Sequence, residues 1–268
     1  MVRGMDITPP FGYSRIVPLE KHHKVLLPAH AGENADPVGT AITVPAYAHT
    51  LNAMAISFSE FAIAQRDYPI VFASNDGGAS FAPVVVLGLA DGQNLFVDAN
   101  GKWARDCYVP AFVRRYPFCI SRLYVDGVAR EDRLICVEES WIDEGGIALF
   151  DQAGKPVREW IERERLLAEY EKDLDTTAHM CAFFRQLDLF APFTMQVKNR
   201  DMATLTLQGM HCIDEGRFGA LSAANHKALA AKGLAARAYA HLFSLANFAR
   251  LVERASVVPA PRRTDARA

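Results

Sequence analysis

The chain has 268 residues, half of them hydrophobic, which is ample material for a large buried core. Its formal net charge is −2, so it lacks the overall positive field that draws proteins to nucleic acids or anionic lipids, and we expect no nucleic-acid partner. The longest wholly apolar run, FAPVVVLGLA, has about ten residues, whereas a transmembrane helix needs about 20, so we expect no membrane span.

The N-terminus and the cysteines predict a cytoplasmic location, and the histidine spacing and the absent motifs predict neither a metal nor a cofactor. No apolar stretch of roughly 7 to 15 residues, as in a secretory signal, occurs near the start. The five cysteines are odd in number and lack a C-x-x-C pair, which is typical of reduced thiols. The eight histidines lack the spacing of metal ligands, and the common phosphate, dinucleotide, serine-hydrolase and zinc-protease motifs are absent.

Residues 1–150 are predicted to be mainly β, after an irregular N-terminal segment in which PAHAGENADPVGT has the composition of an exposed loop. SFSEFAIAQRDY then predicts a short helix with Ser57 or Ser59 as its N-cap. The runs PIVFAS, FAPVVVLGL and NLFVD are rich in strand-forming residues, and the turns NDGGAS and ADGQ separate them. Together with PFCISRLYV and RLICVEE they predict an antiparallel sheet of about five strands.

Residues 151–252 are predicted to form a long helix, a second small hairpin and C-terminal helices. Apolar residues at helical spacing mark one stripe of the long helix: Trp160, Leu167, Tyr170, Leu174, Cys181, Phe184 and Leu187. FTMQV and MATLTLQ flank KNRD as in a hairpin, and two alanine- and leucine-rich segments follow as helices. We therefore expect a single α+β domain over residues 1–252, with its sheet packed against the long helix and the C-terminal helices, and a disordered tail over 253–268.

The run YVPAFVRRYPF, residues 108–118, contains two adjacent arginines within an apolar and aromatic stretch. Pro110 and Pro117 bracket about one and a half helical turns, which places Arg114 and Arg115 at the C-terminal end of a short helix. There the guanidinium groups either stabilise the helix end by contacting its unpaired carbonyls or bind an anionic ligand.

In the ligand-binding interpretation the arginines hold a carboxylate, a phosphate or an acidic sugar, while aromatic side chains stack on its flat face. An aspartate at the end of NLFVD is the nearest counter-charge in either interpretation. The candidate residues are Asp98, Trp103, Tyr108, Arg114, Arg115 and Tyr116.

Five segments of the sequence occur together, in this order, as in the bacterial SapC family, which the chain resembles over residues 10 to 252 or so: QRDYPIVF, VLGLADGQNLFVDANGKW, YVPAFVRRYPF, LFDQAGKP and AYAHLFSLANFARL. The family takes its name from a surface-layer locus. Its members are often encoded beside TonB-dependent receptors and flavin-dependent halogenase-like proteins, so the resemblance implies work connected with nutrient uptake and a protein partner from such a system. It supplies no catalytic residues to transfer.

Our leading hypothesis is a non-catalytic cytoplasmic binding or accessory protein, linked to envelope or nutrient-uptake functions, with an anion-accepting aromatic pocket for an acidic small molecule, sugar or peptide. One alternative is an enzyme acting on a sugar or peptide derivative, in which Asp98, Tyr108, His211 or His241 transfers protons. The other is a scaffold whose apolar C-terminal helix docks a protein partner.

Overall fold

The computed structural model describes residues 5–28, 43–125, 128–198 and 204–257. Within these ranges the eleven strands are β1 (Met5–Asp6), β2 (Ile16–Pro18), β3 (Lys24–Val25), β4 (Ala53–Ala55), β5 (Ile70–Ala73), β6 (Ala82–Val86), β7 (Phe118–Val125), β8 (Val128–Glu138), β9 (Ile147–Ala148), β10 (Phe190–Lys198) and β11 (Thr204–Ile213). The α-helices are α1 (Phe61–Ala64), α2 (Ala111–Arg114), α3 (Arg158–Gln186), α4 (Glu215–Gly219), α5 (Ala223–Ala231), α6 (Leu234–Ser244) and α7 (Asn247–Val257). Short 3-10 helices cover Ala46–Thr50, Phe58–Glu60 and Glu139–Trp141.

Backbone contacts divide the chain into two compact units, each assembled from three separate segments. The first unit comprises Met1–His49, Ile56–Glu60 and Val97–His179, and the second comprises Thr50–Ala55, Phe61–Phe96 and Met180–Ala268. Both units combine helices with antiparallel strands, which confirms the predicted α+β class. No helix in the described part of the chain has both the length and the apolarity that crossing a membrane requires.

The first unit is built on a four-stranded sheet of order β1-β7-β8-β2, and β3 pairs with β9. In the hairpin of β7 and β8, Phe118 lies opposite Val137 and Cys119 opposite Cys136. Because successive side chains point to opposite faces of a sheet, the two pairs join different clusters. Phe118 packs against Trp160 of α3, with ring centroids 5.0 Å apart, whereas Cys119 and Cys136 pack with Tyr13.

The second unit is built on a five-stranded sheet of order β10-β11-β5-β6-β4. The hairpin predicted around NDGGAS is confirmed, since Ala73 of β5 pairs with Ala82 of β6. Phe72 lies at the centre of an aromatic core: its ring centroid is 4.8 Å from that of Phe190 and 5.0 Å from that of His241 in α6. α6 therefore packs on the middle of this sheet.

The strands predicted for the first 150 residues exist, with one exception, but they do not share one sheet. β5 and β6 belong to the sheet of the second unit, whereas β7 and β8 belong to that of the first. The exception is NLFVD: Leu95 and Phe96 are buried, but the segment makes only an isolated bridge from Val97 to Trp103. An apolar run indicates burial rather than a particular secondary structure, and here the run is buried without forming a strand.

Two further predictions concern the C-terminal half. The hairpin of β10 and β11 is confirmed, but it is not separate, because His211 of β11 pairs with Phe72 of β5. The apolar stripe of α3 is also confirmed, with Trp160 and Phe184 among its fully buried side chains. α7 continues to Val257, and the rest of the predicted disordered tail, residues 258–268, lies outside the described residues, as does most of the loop PAHAGENADPVGT. The boundary of a single domain at residue 252 stays a prediction.

Candidate functional site

The short helix α2 forms where the two prolines predict it, in the first unit. It begins directly after Pro110, and the amide N–H of Arg115 bonds to the carbonyl of Ala111 at its C-terminal end. The first turn is held by a buried carboxylate: Glu60 accepts the N–H of Ala111 at 2.7 Å through Oε1 and the N–H of Ser57 at 2.8 Å through Oε2. An acidic group is favoured at this end because unpaired amides and the helix dipole are positive there.

Arg114 is tied to the protein. Its Nε donates to the carbonyl of Val109 at 2.9 Å, and Nη2 donates to the hydroxyl of Tyr108 at 3.0 Å. That hydroxyl in turn donates to Oε1 of Glu60 at 2.9 Å. Burial raises the pKa of Tyr108 well above its usual value, and the nearby Glu60 raises it further, so the phenol stays protonated. A guanidinium, a phenol and a carboxylate thus form a chain of hydrogen bonds that compensates the charge of Arg114.

Arg115 has a different environment, although it is the next residue. It is 6% exposed, and its guanidinium carbon lies 4.9 Å from the ring centroids of Phe112 and Tyr170 and 5.7 Å from that of Tyr13. Its Nε is buried and has no hydrogen-bond partner, and within the described ranges Arg115 makes no ion pair. The groups in direct contact with the guanidinium are aromatic faces, which attract a cation but accept no strong hydrogen bond.

The tyrosines around Arg115 do not neutralise it. Burial raises the pKa of Tyr13, Tyr47 and Tyr170 well above the usual value, and the guanidinium only partly offsets this effect. All three phenols are therefore uncharged at physiological pH. The carboxylate of Glu171 also interacts with Arg115, but it pairs with Arg133 at 2.8 Å.

More aromatic side chains surround this group and reach the surface. The ring of Tyr47 lies 6.0 Å from that of Phe112 and 5.6 Å from that of Tyr116. Phe11, which is 67% exposed, lies 6.5 Å from both Tyr47 and Phe112. We call Arg115 and its aromatic neighbours the Arg115 site; its rings are those of Phe11, Tyr13, Tyr47, Phe112, Tyr116 and Tyr170.

Gly12 allows the N-terminal loop to reach the site. Its φ is +86°, and a Cβ at this position would lie 2.9 Å from the ring of Tyr47. Only glycine fits such a conformation at such a close approach without strain. The sequence Phe11-Gly12-Tyr13 therefore sets one aromatic ring on each side of the point of contact.

The structure separates the six predicted site residues. Arg115 and Tyr116 lie in the Arg115 site, whereas Arg114 and Tyr108 form the chain that ends at Glu60. The remaining two have local roles. Trp103 is 1% exposed and pairs with Val97, and Asp98 is exposed and accepts the amide N–H groups of Asn100 and Lys102 within its own turn.

Besides the rings of Phe11 and Phe112, sequence reasoning missed four residues of the two groups. Glu60 had a recognisable signal, because Ser57 followed three residues later by a glutamate is a capping box, and the Ser57 amide does bond to this carboxylate. The other three, Tyr13, Tyr47 and Tyr170, approach Arg115 from distant parts of the chain. No local pattern marks them as partners of the arginine.

The histidines named for proton transfer have other environments. In the second unit, His241 is fully buried; its Nε2 accepts the N–H of Ile213 at 3.0 Å, and its Nδ1 lies 2.7 Å from the carbonyl of Ile70. Burial lowers the pKa of His241 to about 4, so the ring is neutral and serves the core, as its apolar helix suggests. His211 lies edge-on to Phe81, with ring centroids 5.0 Å apart, and its Nδ1 is buried without a partner in the described residues.

Among the residues that the structure describes, one group of side chains could hold a metal ion. In the turn between β2 and β3, Glu20, His22 and His23 place one ligand atom each within 4.8 Å of the others. The group is largely exposed, and the arrangement is already bonded internally: Nδ1 of His23 accepts the N–H of Glu20 at 3.1 Å. In that tautomer the other ring nitrogen carries the hydrogen, so a metal would have to displace this bond.

The comparisons with known proteins agree with the resemblance noted in the sequence. The SapC family model matches residues 40–251, a range that includes Tyr47, α2 and Tyr170 of the site. No similarity to a curated protein or to a solved structure was found. Because the match extends over much more than half of its length, the chain belongs to the SapC family.

Proposed function

We propose that the chain is a non-catalytic accessory protein that binds a small organic anion at the Arg115 site. The observation that carries the proposal is the guanidinium of Arg115, which is buried, makes no ion pair among the described residues and has no hydrogen-bond acceptor at Nε there. Burying a charge costs free energy unless it is paired and hydrogen-bonded. Aromatic faces offset part of this cost, at about 0.5 to 2 kcal/mol for each contact. An anionic ligand would supply the missing charge and the missing acceptors.

Binding is proposed in preference to catalysis because most groups considered for proton transfer are already bonded. Both ring nitrogens of His241 contact backbone groups, the hydroxyl of Tyr108 bonds to Glu60 and Arg114, and Asp98 bonds to amides of its own turn. A general acid or base must instead be within reach of a substrate proton.

The proposal extends to the cell compartment and the biological setting. The five cysteines are free, and four of them are buried, as expected of a protein in a reducing compartment, which supports a cytoplasmic location. The resemblance to the SapC family supports a link to nutrient uptake. The anion would then be a transported nutrient, a product of it or a group on a partner protein.

The test is a thermal-shift screen of carboxylates, phosphates, acidic sugars and acidic peptides, followed by calorimetric titration of each hit. We expect a hit to raise the melting temperature of the wild-type protein, since a ligand at 100 times its Kd stabilises by about 2.7 kcal/mol. Arg115→Met removes the charge but keeps the aliphatic stem, and should abolish the shift. The matched control is Arg165→Met, which removes an exposed charge from the same unit and should leave the shift unchanged.

The proposal fails if no anion stabilises the protein, or if Arg115→Met and the control respond to every hit in the same way. Arg115→Lys provides a second variant, because it keeps the positive charge and loses the planar donor geometry. It should fold and should bind carboxylates at least tenfold more weakly than the wild type, by about the difference expected for a lost bidentate contact.

A second candidate function is docking of a protein partner through the C-terminal helices of the second unit. Tyr239 and Phe243 of α6 are 47% and 69% exposed, and their rings stack with centroids 5.9 Å apart. Exposed aromatic pairs are common in protein interfaces. The check is the affinity for a halogenase-like protein from the same genome: Phe243→Ser should weaken it at least tenfold if this surface docks the partner. Equal affinities would exclude this surface.

A further inference from the structure

The charges around Arg115 restrict the kind of anion that fits, an inference that rests on the proposed function and makes it more specific. We infer that the ligand is a monocarboxylate with an aromatic or flat apolar body. Three features of the first unit carry this inference: the number of cations at the site, the donors that remain on the guanidinium, and the exposed rings beside it.

The charge balance favours a ligand with one negative charge. In the described part of the chain, Arg115 is the one cation over the rings of Tyr13, Phe112 and Tyr170. The carboxylate of Glu171 interacts electrostatically with Arg115. One ligand charge would face the guanidinium, whereas a second would meet this carboxylate without a cation of its own.

The carboxylate of Glu171 is shared between two arginines. Its Oε2 lies 2.8 Å from Nη1 of Arg133, and Arg115 also acts on it electrostatically. Glu171 would therefore repel a phosphate dianion or a dicarboxylate at Arg115 more strongly than a monocarboxylate.

The donors left on Arg115 match a carboxylate. A guanidinium carries five N–H donors in its plane, and on Arg115 the donor at Nε is buried without a partner in the described residues. Two parallel N–H groups of arginine fit the two oxygens of a carboxylate. A single carboxylate would thus supply a negative charge for the guanidinium and acceptors for its N–H donors.

The exposed rings predict the body of the ligand. Phe11 is 67% exposed and contacts Tyr47 and Phe112, which belong to the same group of rings as Arg115. Tyr116 is half-buried and contacts both Tyr47 and Trp141, with ring centroids 5.6 and 5.3 Å apart. A flat apolar body would stack on these rings and remove their apolar surface from water.

The experiment is a calorimetric titration at pH 7 with a set of matched compounds. 3-Phenylpropionate carries one charge and a ring, its amide carries only the ring, propionate carries only the charge, and phenyl phosphate carries the ring with nearly two charges. N-acetyl-alanyl-phenylalanine and its C-terminal amide distinguish a peptide C-terminus from a free acid as the source of the carboxylate. The proteins are the wild type, Arg115→Lys, Arg115→Met and Phe11→Ala, with Phe243→Ala as the control for loss of an exposed phenylalanine.

We expect 3-phenylpropionate or the acid form of the peptide to bind at least tenfold tighter than its amide, than propionate and than phenyl phosphate, a factor of the order that one charged or one stacking contact gives. Arg115→Met should lose this binding, and Arg115→Lys should weaken it at least tenfold. Phe11→Ala should weaken binding of the aromatic acid severalfold and leave that of propionate unchanged, whereas Phe243→Ala should change neither.

Three results would overturn the inference, and they differ in whether the proposed anion site survives. If phenyl phosphate binds as tightly as the aromatic acid and still depends on Arg115, the ligand class is wrong but the proposed anion site is correct. The same holds if propionate binds as tightly as the aromatic acid. If no compound shows binding that depends on Arg115, both the ligand class and the proposed function are wrong.

Discussion

Adjacent arginines meet different neighbours in this protein because successive residues of a helical turn point about 100° apart. Arg114 therefore points to Val109 and Tyr108, whereas Arg115 points into a group of aromatic rings. Among the described residues, neither guanidinium bonds to a carbonyl of the last turn of α2. The fold compensates Arg114 through hydrogen bonds, whereas the Nε of Arg115 is an unpaired donor.

This difference predicts that replacing Arg114 destabilises the protein more than replacing Arg115. Arg114→Met removes the donors to the carbonyl of Val109 and to the hydroxyl oxygen of Tyr108, and should lower the free energy of unfolding by about 1.5 to 3 kcal/mol. Arg115→Met removes a buried, unpaired cation and keeps its apolar stem, so it should change the free energy of unfolding by less than about 1 kcal/mol. Urea denaturation of both variants without ligand is the measurement.

The opposite order would contradict the binding proposal. If Arg115→Met loses more stability than Arg114→Met, the aromatic contacts of Arg115 hold the fold together, and its charge has a structural use. Arg165→Met is the reference variant, because the ion pair of Arg165 with Glu169 is on the surface and its loss should change the free energy of unfolding little.

The sequence predicted the position of the arginine pair correctly but not the separate roles of its members. The prolines on either side and the local turn are properties of a few neighbouring residues, and these define α2. Which guanidinium finds a partner depends on Glu60 and on tyrosines that arrive from other parts of the chain. Such contacts are set by tertiary packing, and no spacing rule encodes them.

Among the elements, α6 is fixed to the sheet of the second unit by two buried side chains, Ser244, which accepts the N–H of Ile70 at 2.9 Å, and His241. His241 contacts the backbone of Ile70 in β5 and of Ile213 in β11. Because its Nε2 accepts a hydrogen bond, the proton of the neutral ring must be on Nδ1, which donates to Ile70. A protonated ring would turn Nε2 into a donor that faces another donor, the N–H of Ile213.

This contact predicts a loss of stability in mild acid. The pKa of His241 is about 4 in the folded protein and about 6.5 in an unfolded chain, so the unfolded state binds more protons between these values. The contribution of His241 is fully present above pH 6.5 and decreases as the pH falls towards 4. Between pH 7 and pH 5 the wild type should lose about 2 kcal/mol from this residue.

The measurement is the free energy of unfolding at pH 7 and pH 5 for the wild type and for His241→Gln. The variant starts from a lower stability, but its side chain does not titrate, so its loss between the two pH values should be smaller by about 2 kcal/mol. Carboxylates titrate in both proteins, so their contribution cancels when the two losses of stability are subtracted. Equal losses in the two proteins would show that His241 is not held neutral in the fold.

At the level of elements, the sequence predicts local hairpins but not the sheet that each hairpin joins. Hairpins such as β5–β6 and β10–β11 were predicted because turn residues and alternation are local. The sheet to which each hairpin belongs was not predicted, since β11 pairs with β5 across a long stretch of chain. For NLFVD the same apolar residues that suggested a strand are buried instead in a segment without a ladder.

At the scale of the whole molecule, the two units are interleaved along the sequence. The chain alternates between them, each unit takes three segments, and α3 contributes residues to both, with His179 the last of the first unit. Neither unit can therefore be produced as one continuous fragment. A continuous helix and repeated crossings favour cooperative unfolding, which is the behaviour expected of the single domain predicted for residues 1–252.

The tryptophans make this prediction testable. All three, Trp103, Trp141 and Trp160, lie in the first unit, whereas α4 to α7 lie in the second. Tryptophan fluorescence thus follows the first unit, and far-ultraviolet circular dichroism also follows the helices of the second. We expect the two signals to give the same midpoint in urea.

His241→Gln, which weakens only contacts of the second unit, should lower both midpoints equally. Two domains would instead show a lower midpoint by circular dichroism alone, with the fluorescence transition of the first unit unchanged.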